Sequence, residues 1–304
     1  MSRFRKGYQL PGRSGKTKVG YSVFNATDRS ETPIEGLVWF EYKSDITKNN
    51  DPSQTKEFAT KAETSSTVND CVMRLLHDGG IPVAYNYEVT KTAFIAYDCV
   101  MLPLEVVARR YFVGSSLKRH PELERSEGIP PVITRPLAVE FYLKTNNGCV
   151  LGVYGEMIDL HLGGDTDAED PIIYGLYSDY EWGLFHPKKP KEGSLLWCIE
   201  PRKVLRDLGM IEQMDLLMRR VFLTLETAWA TLDLRLIDLK IEFGITPDGR
   251  LVVADVIDND SWRLRTQDWQ ELSKQAFRDN EDLSIVEEKY IQVARLAGQL
   301  SYQG

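Results

Sequence analysis

A strictly alternating segment that runs into an Asp-Gly turn constrains this chain more than any other feature of its sequence. From residue 237 to 243, apolar side chains alternate with charged ones, which is the period of a strand with one buried face. A Thr-Pro-Asp-Gly-Arg segment follows at 246–250, and a second apolar run begins at Leu251. Asp-Gly between two apolar runs is a strong hairpin signal. The sequence therefore predicts paired strands over residues 235–245 and 251–257.

This predicted hairpin brings two acidic side chains together. If the turn is centred on residues 248–249, Pro247 faces Arg250. Counting outward then places Glu242 opposite Asp255, with Cβ atoms about 5 Å apart, a distance at which like charges repel. A shared divalent cation turns that repulsion into coordination, and Mg²⁺ commonly binds one or two carboxylates together with substrate phosphates. The pattern thus indicates a magnesium site at Glu242 and Asp255.

The residues after the second strand extend the same chemistry. The segment 257–264 adds two further acids and Arg263, and an arginine next to a metal–phosphate site can neutralise substrate charge bidentately. An alternative remains open for each group. The acids can lie on a solvated face and pair with Lys240 or an arginine, and Arg263 can form an ordinary surface ion pair.

Composition excludes several broad classes of protein. Lysine plus arginine total 37 and aspartate plus glutamate total 45, a net charge of −8 in 304 residues, which argues against a general nucleic-acid binder. No apolar run approaches the roughly 18 residues of a membrane span, and none follows the basic N-terminus. We therefore expect no membrane segment, no signal peptide and a cytoplasmic location. The cysteines and histidines lack CxxC or HExxH spacing, so neither a disulfide framework nor a zinc site is expected.

The distribution of patterns along the chain predicts an α+β protein with a β-rich first part. Strand-like segments rich in aromatic and β-branched residues stand at 19–24, 37–42 and 92–97. Helical spacing of apolar residues predicts helices over 67–77, 204–232 and 282–300. The texture changes near residue 105, which we take as the boundary between an N-terminal domain, 1–105, and a second domain, 106–304.

Two cationic segments add candidate anion-binding residues. The turn 12–18 contains Gly15, Lys16 and Lys18, but it is not a P-loop, because Leu10 occupies the position of the first glycine. Such a turn can lie over nucleotide phosphates, or it can be a solvated basic turn. The segment 106–119 carries four cations in an acidic protein. It suits a phosphorylated sugar, and a basic strand edge is the alternative.

These segments, in this order, resemble the SAICAR synthetase family of purine biosynthesis. The most specific stretches are Asp238-Leu239-Lys240-Ile241-Glu242-Phe243-Gly244 and Asp258-Asn259-Asp260-Ser261-Trp262-Arg263-Leu264. Further stretches that carry the resemblance are 15–18, 92–96, 105–119, 139–144, 170–171, 254–257 and 274–279. The resemblance implies a small antiparallel, β-rich ATP-binding lobe and a larger α+β lobe, with the active site in the cleft between them.

The resemblance also implies the reaction. It is an ATP-dependent ligation in which the carboxylate of an aminoimidazole ribonucleotide is activated as an acyl phosphate and attacked by the amine of L-aspartate, giving an amide, ADP and phosphate. ATP and Mg²⁺ are the implied cofactors, small molecules the implied partners, and a homo-oligomer is left open.

The roles implied by the resemblance fall on definite positions of this sequence. Three residues are implied to be catalytic: Lys240, Glu242 and Asp255. The implied nucleotide contacts are Gly15, Lys16, Lys18, Lys240, Glu242 and Asp255. Glu242 and Asp255 are the implied magnesium ligands. The implied ribonucleotide contacts are Arg109, Ser115, Arg263 and Arg278.

The chain departs from the family pattern in two places. Residues 46–50 stand where the family has a small glycine-containing turn, and extra residues within 145–170 separate Lys144 from the acidic segment that ends at Asp170-Pro171. Both places border the substrate pocket in the family. A variant ligase with another amine or ribonucleotide is therefore one alternative, an ATP-dependent small-molecule phosphotransferase is a second, and a non-catalytic nucleotide-binding protein is a third.

Overall fold

The computed structural model describes residues 3–15, 17–27, 32–47, 52–126, 128–153, 155–160 and 170–302. In chain order, its strands are β1 (Phe4–Ser14), β2 (Lys18–Asn25), β3 (Leu37–Tyr42), β4 (Asp45–Thr47), β5 (Thr55–Glu57), β6 (Tyr85–Thr90), β7 (Ala93–Tyr97), β8 (Val100–Tyr111), β9 (Ile133–Leu143), β10 (Cys149–Leu151), β11 (Met157–Asp159), β12 (Ile172–Tyr174), β13 (Trp182–Phe185), β14 (Leu195–Ile199), β15 (Leu234–Ile245), β16 (Leu251–Val253) and β17 (Trp262–Thr266). The helices are α1 (Lys61–Asp78), α2 (Gly114–Arg119), α3 (Gly209–Ala230), α4 (Gln275–Arg278) and α5 (Leu283–Ala297). The predicted α+β class is confirmed.

The chain divides into two compact units that do not follow the order of the sequence. Unit 1 comprises residues 1–100, 224–236 and 244–304, and unit 2 comprises residues 101–223 and 237–243. The first boundary lies close to the predicted one at residue 105. The C-terminal residues 244–304, however, group with the N-terminal ones, whereas the sequence predicts them in the same domain as residues 106–243. The grouping depends on long-range packing, which composition does not show.

Unit 1 contains an antiparallel sheet in the order β1-β2-β3-β7-β6. Its three central strands, β2, β3 and β7, pair in regular register, with Tyr21 opposite Trp39 and Trp39 opposite Ile95, whereas the outer pairs β1-β2 and β6-β7 contain register shifts. One face of the sheet buries a cluster that includes Val23 and Ala93 as well as Trp39 and Ile95. Burial of the larger side chains of this cluster stabilises the sheet, because a side chain such as Val or Ile contributes about 1.5–3 kcal/mol when it is fully removed from water.

A second cluster explains why the C-terminal residues belong to unit 1. Ile46 of β4 and Phe58 pack with Phe277, Val286 and Tyr290 from the C-terminal helices, and the rings of Phe58 and Tyr290 meet edge to face at 5.3 Å. The apolar face of α5 is thus covered by residues that lie more than 200 positions earlier in the chain.

Helix α1 begins earlier than its apolar pattern predicts. The spacing of apolar residues predicts a helix over 67–77, but α1 starts at Lys61. The first turns bury mainly polar side chains, since Lys61, Thr64, Ser65 and Ser66 are all buried and Ala62 is the apolar residue among them. A pattern based on hydrophobicity therefore misses this part of the helix.

Unit 2 is built on a sheet in which the order is β14-β13-β12-β9-β8 and then the central part of β15. Strands β8 and β9 pair antiparallel along most of their length, with Val107 opposite Glu140 and Arg109 opposite Ala138. An apolar cluster of Val107, Tyr142 and Ile172 lies on this sheet. The ends of β15 belong to unit 1, where β16 and β17 are its neighbours.

Several predicted elements are found with small differences in their bounds. The strands at 19–24, 37–42 and 92–97 correspond to β2, β3 and β7, and the helices at 204–232 and 282–300 correspond to α3 and α5. The second hairpin strand is shorter than predicted and ends at Val253 instead of residue 257. No helix in the described ranges is both long enough and apolar enough to cross a membrane.

Candidate functional site

The predicted hairpin is confirmed, but its turn closes one residue earlier than predicted. The N–H of Thr246 donates to the carbonyl of Arg250 at 3.0 Å, and the N–H of Gly249 donates back to the carbonyl of Thr246 at 2.8 Å. Gly249 has φ of +87°, a left-handed conformation in which glycine avoids the steric cost of a Cβ. The closing pair is thus Thr246 with Arg250, and the expectation that Pro247 faces Arg250 is wrong.

This difference bears on the predicted metal pair. The count that placed Glu242 opposite Asp255 started from the turn, and it shifts by one residue when a three-residue loop closes the hairpin. Glu242 lies within β15 in unit 2, and Asp255 follows the end of β16 in unit 1. Their joint coordination of Mg²⁺ stays a prediction. Among the residues described, no group of three or more His, Cys, Asp and Glu side chains is arranged to hold a metal ion, although Mg²⁺ with bound phosphates needs only one or two carboxylates.

The glycine–lysine turn connects β1 to β2 in unit 1. The N–H of Gly15 donates to the carbonyl of Lys18 at 2.9 Å, and the carbonyl of Gly15 accepts from the Nζ of Lys43 at 2.7 Å. Lys16, a predicted phosphate contact, lies outside the described residues. Gly15 is exposed, and its N–H and its carbonyl are each held by one of these two hydrogen bonds.

Lys18 and Asp255 form an ion pair within unit 1. Lys18 opens β2, and Asp255 lies in the loop 254–261 between β16 and β17. The Asp255 side chain is 30% exposed and the Lys18 side chain 16%, so both groups can be reached from solvent. Oδ1 of Asp255 also accepts a hydrogen bond from the N–H of Val256 at 2.8 Å. Two residues predicted as nucleotide contacts are thus brought together.

The polar face of β15 carries a lysine–carboxylate cluster in unit 2. The Nζ of Lys240 lies 2.8 Å from Oε1 of Glu105 and 3.8 Å from Oε1 of Glu242, and the Nζ of Lys144 lies 2.6 Å from Oε2 of Glu242. Glu242 is buried. Burial alone would lower the pKa of Lys144, but the neighbouring Glu242 carboxylate raises it above its ordinary value. Lys144 is therefore cationic at neutral pH.

Glu105 and Lys144 had no assigned role in the sequence, although both lie in segments that carry the family resemblance. Glu105 lies in β8, which is next to the strand that holds Lys240 and Glu242, and Lys144 lies just after β9, on the other side of β8. Pairing of β8 with both β9 and β15 brings the four charges to one face of the sheet. The strand order, which local sequence does not specify, was needed to find them.

Arg109 is held by a buried ionic network in unit 2. Its guanidinium donates to Glu140 at 2.9 Å, to Asp238 at 2.6 Å and to the hydroxyl of Ser115 at 3.0 Å. Arg119 pairs with the other oxygen of Glu140. Burial would raise the pKa of Glu140, but the two arginines lower it to about 2. Arg109 and Ser115, both predicted ribonucleotide contacts, are thus adjacent, and two carboxylates already neutralise the charge of Arg109.

Arg263 and Arg278 meet at one acceptor in unit 1. The Nη2 of Arg263 lies 3.2 Å and the Nη1 of Arg278 3.4 Å from Oε1 of Gln275. Arg263 comes from β17, and Gln275 and Arg278 come from α4. Two guanidinium groups held by one amide form a cationic patch suited to a phosphate.

The two places where the chain departs from the family pattern are partly described. The ends of the extra segment meet, since Oδ1 of Asp170 accepts the N–H of Thr145 at 2.6 Å. Burial and the charge of Glu105 raise the pKa of Asp170. Residues 161–169 lie outside the described residues. In the other departure, Ile46 and Thr47 belong to β4, and residues 48–50 lie outside the described ranges.

Comparison with known proteins identifies relatives of this chain. A family model described as SAICAR synthetase matches residues 13–148 and 199–296. The phosphoribosylaminoimidazole-succinocarboxamide synthase of Chloroflexus aggregans is 34% identical over 295 residues, covering 93% of this chain and 94% of the relative. The unmatched interval 149–198 contains most of the predicted insertion.

Solved structures show the same fold. The phosphoribosylaminoimidazole-succinocarboxamide synthase of Ehrlichia chaffeensis superposes with a TM-score of 0.67 at 21% identity, covering 97% of this chain and 98% of the other. The structure of a SAICAR synthetase in complex with ADP superposes with a TM-score of 0.66 at 22% identity, covering 96% of this chain and 99% of the other. Identities of this size establish the shared architecture.

Proposed function

This chain belongs to the SAICAR synthetase family, and from that membership we propose that it joins L-aspartate to the carboxylate of 5-amino-1-(5-phosphoribosyl)imidazole-4-carboxylate. The enzyme is an ATP-dependent, amide-forming ligase of purine biosynthesis. The observation that carries the proposal is the family match over residues 13–148 and 199–296, which contains all the residues assigned a role below.

Residues of unit 1 are proposed to hold the nucleotide. Gly15 and Lys18 would contact its phosphates, and Lys16 is assigned the same role from the sequence. The pairing of Lys18 with Asp255 supports this assignment, because a partly exposed ammonium and carboxylate can each exchange the other for a phosphate oxygen and a cation. Arg263 and Arg278 would bind the phosphate of the ribonucleotide.

Residues of unit 2 are proposed to act at the reacting carboxylate. Lys240 would stabilise the negative charge that develops on the transferring phosphoryl group. Glu242 is the proposed partner of a divalent cation, and Lys144 and Glu105 would keep Glu242 and Lys240 in place. Ser115, whose hydroxyl is oriented by Arg109, would donate to the ribonucleotide.

Carboxylates suit Mg²⁺ because they offer only oxygen, which holds for Glu242 in unit 2 and for Asp255 in unit 1, and each of the two is paired with a lysine ammonium. When bound, Mg²⁺ would neutralise phosphate charge. The proposed order of steps is transfer of the ATP γ-phosphoryl to the carboxylate, attack of the aspartate amine on the acyl phosphate, and loss of phosphate. We also propose a cytoplasmic enzyme; a homo-oligomer stays a prediction.

The deciding experiment measures ADP release from ATP and Mg²⁺ with the carboxylated aminoimidazole ribonucleotide, with and without L-aspartate. The expected result is turnover only when both are present, with the succinocarboxamide product detected by mass spectrometry. Turnover with another amine in place of aspartate would identify a variant ligase. A stable phosphorylated product without any amine would identify a phosphotransferase, and ATP binding without turnover a non-catalytic protein.

A further inference from the structure

The loop 254–261, which carries Asp255, is fixed by a buried charge cluster. The cluster consists of Lys61, Asp258, Asp260, Lys274 and Tyr290, all in unit 1. The side chains of Lys61 and Asp258 are only 2% and 1% exposed, and that of Asp260 is 12% exposed. These residues come from α1, the loop, the segment before α4, and α5, so groups distant in sequence converge on one short loop.

Asp260 is the centre of this cluster. Its Oδ1 accepts the hydroxyl of Tyr290 at 2.5 Å and lies 3.1 Å from the Nζ of Lys61, and its Oδ2 lies 2.8 Å from the Nζ of Lys274. Burial would raise the pKa of Asp260, but the two ammonium groups lower it well below its usual range. Asp260 is therefore ionised and held by three donors.

Lys61 connects the loop to the first turn of α1. Its Nζ lies 3.7 Å from Oδ2 of Asp258 and donates to the hydroxyl of Ser65 at 2.7 Å, and it lies 5.1 Å from the centre of the Tyr290 ring. Oδ2 of Asp258 is buried and makes no hydrogen bond to the residues described. The ammonium of Lys61 is its neutralising charge, so Lys61 serves both buried aspartates.

The backbone of the loop is also fixed. The N–H of Ile257 donates to Oδ1 of Asn69 in α1 at 2.9 Å. The side chain of Asn259 donates to the carbonyl of Leu272 at 2.8 Å, and the carbonyl of Asn259 accepts the N–H of Lys274 at 3.2 Å. These partners replace the strand pairing that ends at Val253.

A gain in folding stability is a weak explanation for the buried charges of this cluster. Removing a carboxylate and an ammonium from water costs several kcal/mol for each ion, and a packed apolar core of the same volume is often as stable or more so. What this cluster does is join the loop between Asp255 and Arg263 to α1, to the segment before α4 and to α5.

We propose that Lys61 is a positioning residue for the ligase reaction. It locks Asp258 and Asp260, and thereby holds Asp255 in the orientation needed for nucleotide binding. This inference rests on the proposed role of Asp255. Lys61 itself touches no substrate and acts only through the loop.

The test compares Lys61→Met, Tyr290→Phe and Lys289→Met with the wild-type enzyme. Tyr290→Phe keeps the ring and removes one hydrogen bond to Asp260, so it decides the question if Lys61→Met does not fold. Lys289→Met is the matched control, because Lys289 lies on the same helix as Tyr290 and its ion pair with Glu281 is outside the loop.

ATP affinity in the presence of Mg²⁺ is measured by calorimetry below the Tm of each variant, and KM and kcat are measured in the ADP assay. Hydrogen exchange of the loop amides is followed in nucleotide-free protein.

The expected result is ATP binding about tenfold weaker in Lys61→Met, since misplacement of a binding group by even 1 Å is costly, and about threefold weaker in Tyr290→Phe, the usual effect of one hydrogen bond. KM for ATP should rise more than kcat falls, exchange of amides 257–261 should accelerate, and Lys289→Met should match the wild type. Folded variants with wild-type ATP affinity would overturn the positioning role and leave the proposed function intact. A wild-type enzyme that binds no ATP would overturn the proposed function, and the positioning role with it.

Discussion

The Nζ atom of Lys144 lies 2.6 Å from Oε2 of Glu242, a carboxylate whose side chain is 7% exposed. Lys240 approaches the same carboxylate only to 3.8 Å. Lys144 is therefore the nearer of these two lysines to the acid that is proposed to bind the cation. In this arrangement Lys144 holds Glu242 in place, and Glu242 stays available to a cation.

Replacing Lys144 by methionine should weaken both catalysis and the fold. A nearly buried carboxylate that loses a hydrogen-bond donor costs about 1–3 kcal/mol, and Lys240, the other lysine near it, is shared with Glu105. We expect a lower Tm and kcat/KM reduced at least about tenfold, the effect of 1.4 kcal/mol in the transition state. The ADP assay and thermal unfolding measure the two effects. The control is Lys189→Met, an exposed lysine of the same unit, which should change neither; unchanged kcat/KM in Lys144→Met would refute the role of Lys144.

Asp255→Asn should reduce turnover far more than stability. The ion pair with Lys18 is partly exposed, and pairs of this kind contribute only about 0–1 kcal/mol to folding. Loss of a charge that acts on phosphoryl transfer costs about 10²–10³-fold in rate. A matched control is Asp98→Asn, because Asp98 forms a similarly exposed ion pair with Arg13 in the same unit. Near-normal kcat in Asp255→Asn would exclude the proposed role of this residue.

The sequence predicted the local elements well and the site only in part. Alternation around Lys240 and the Asp-Gly turn specified β15 and its hairpin, because strand period and turn chemistry are local properties. The register at the turn was wrong by one residue, since a three-residue loop with Gly249 at positive φ and a two-residue loop share the same dipeptide signal.

Other parts of the site depend on contacts that local patterns do not encode. The partnership of Lys144 with Glu242 spans 98 positions, and that of Lys61 with Asp260 joins α1 to a loop near the C-terminus. Lys61 in particular begins a helix whose buried face is polar, so hydrophobic periodicity gave no sign of it. The resemblance implies that Arg109 contacts the ribonucleotide, and the structure adds that Glu140 and Asp238 pair with Arg109.

The ion pair between Arg109 and Glu140 should make the free energy of unfolding fall at acid pH. Glu140 has its pKa lowered from 4.5 to about 2, so the unfolded chain binds its proton more tightly than the folded one does. The stabilisation, about 3 kcal/mol for a shift of this size, is complete above pH 4.5 and is lost as the pH falls toward 2. Urea unfolding of the wild type should show this loss. In Glu140→Gln the dependence in that window should be weaker, and the variant should be less stable at pH 7.

The control for this effect is Glu124→Gln, at an exposed position of the same unit. It should retain the wild-type pH dependence. If Glu140→Gln kept the full loss of stability between pH 4.5 and pH 2, then other carboxyl groups would account for it, and the network around Arg109 would not be the acid-sensitive element of the fold.

Two neighbouring serines at the start of α2 should separate substrate binding from folding. The hydroxyl of Ser115 accepts from Arg109 at 3.0 Å, whereas the buried hydroxyl of Ser116 accepts the N–H of Val113 at 3.2 Å and donates to its carbonyl at 3.0 Å. Ser116→Ala removes both bonds of a helix cap and should cost about 1 kcal/mol of stability, with little change in KM. Ser115→Ala should leave the Tm nearly unchanged and raise KM for the ribonucleotide about three- to tenfold, the effect of one hydrogen bond. An unchanged KM in Ser115→Ala would remove Ser115 from the substrate site and leave it as a partner of Arg109 alone.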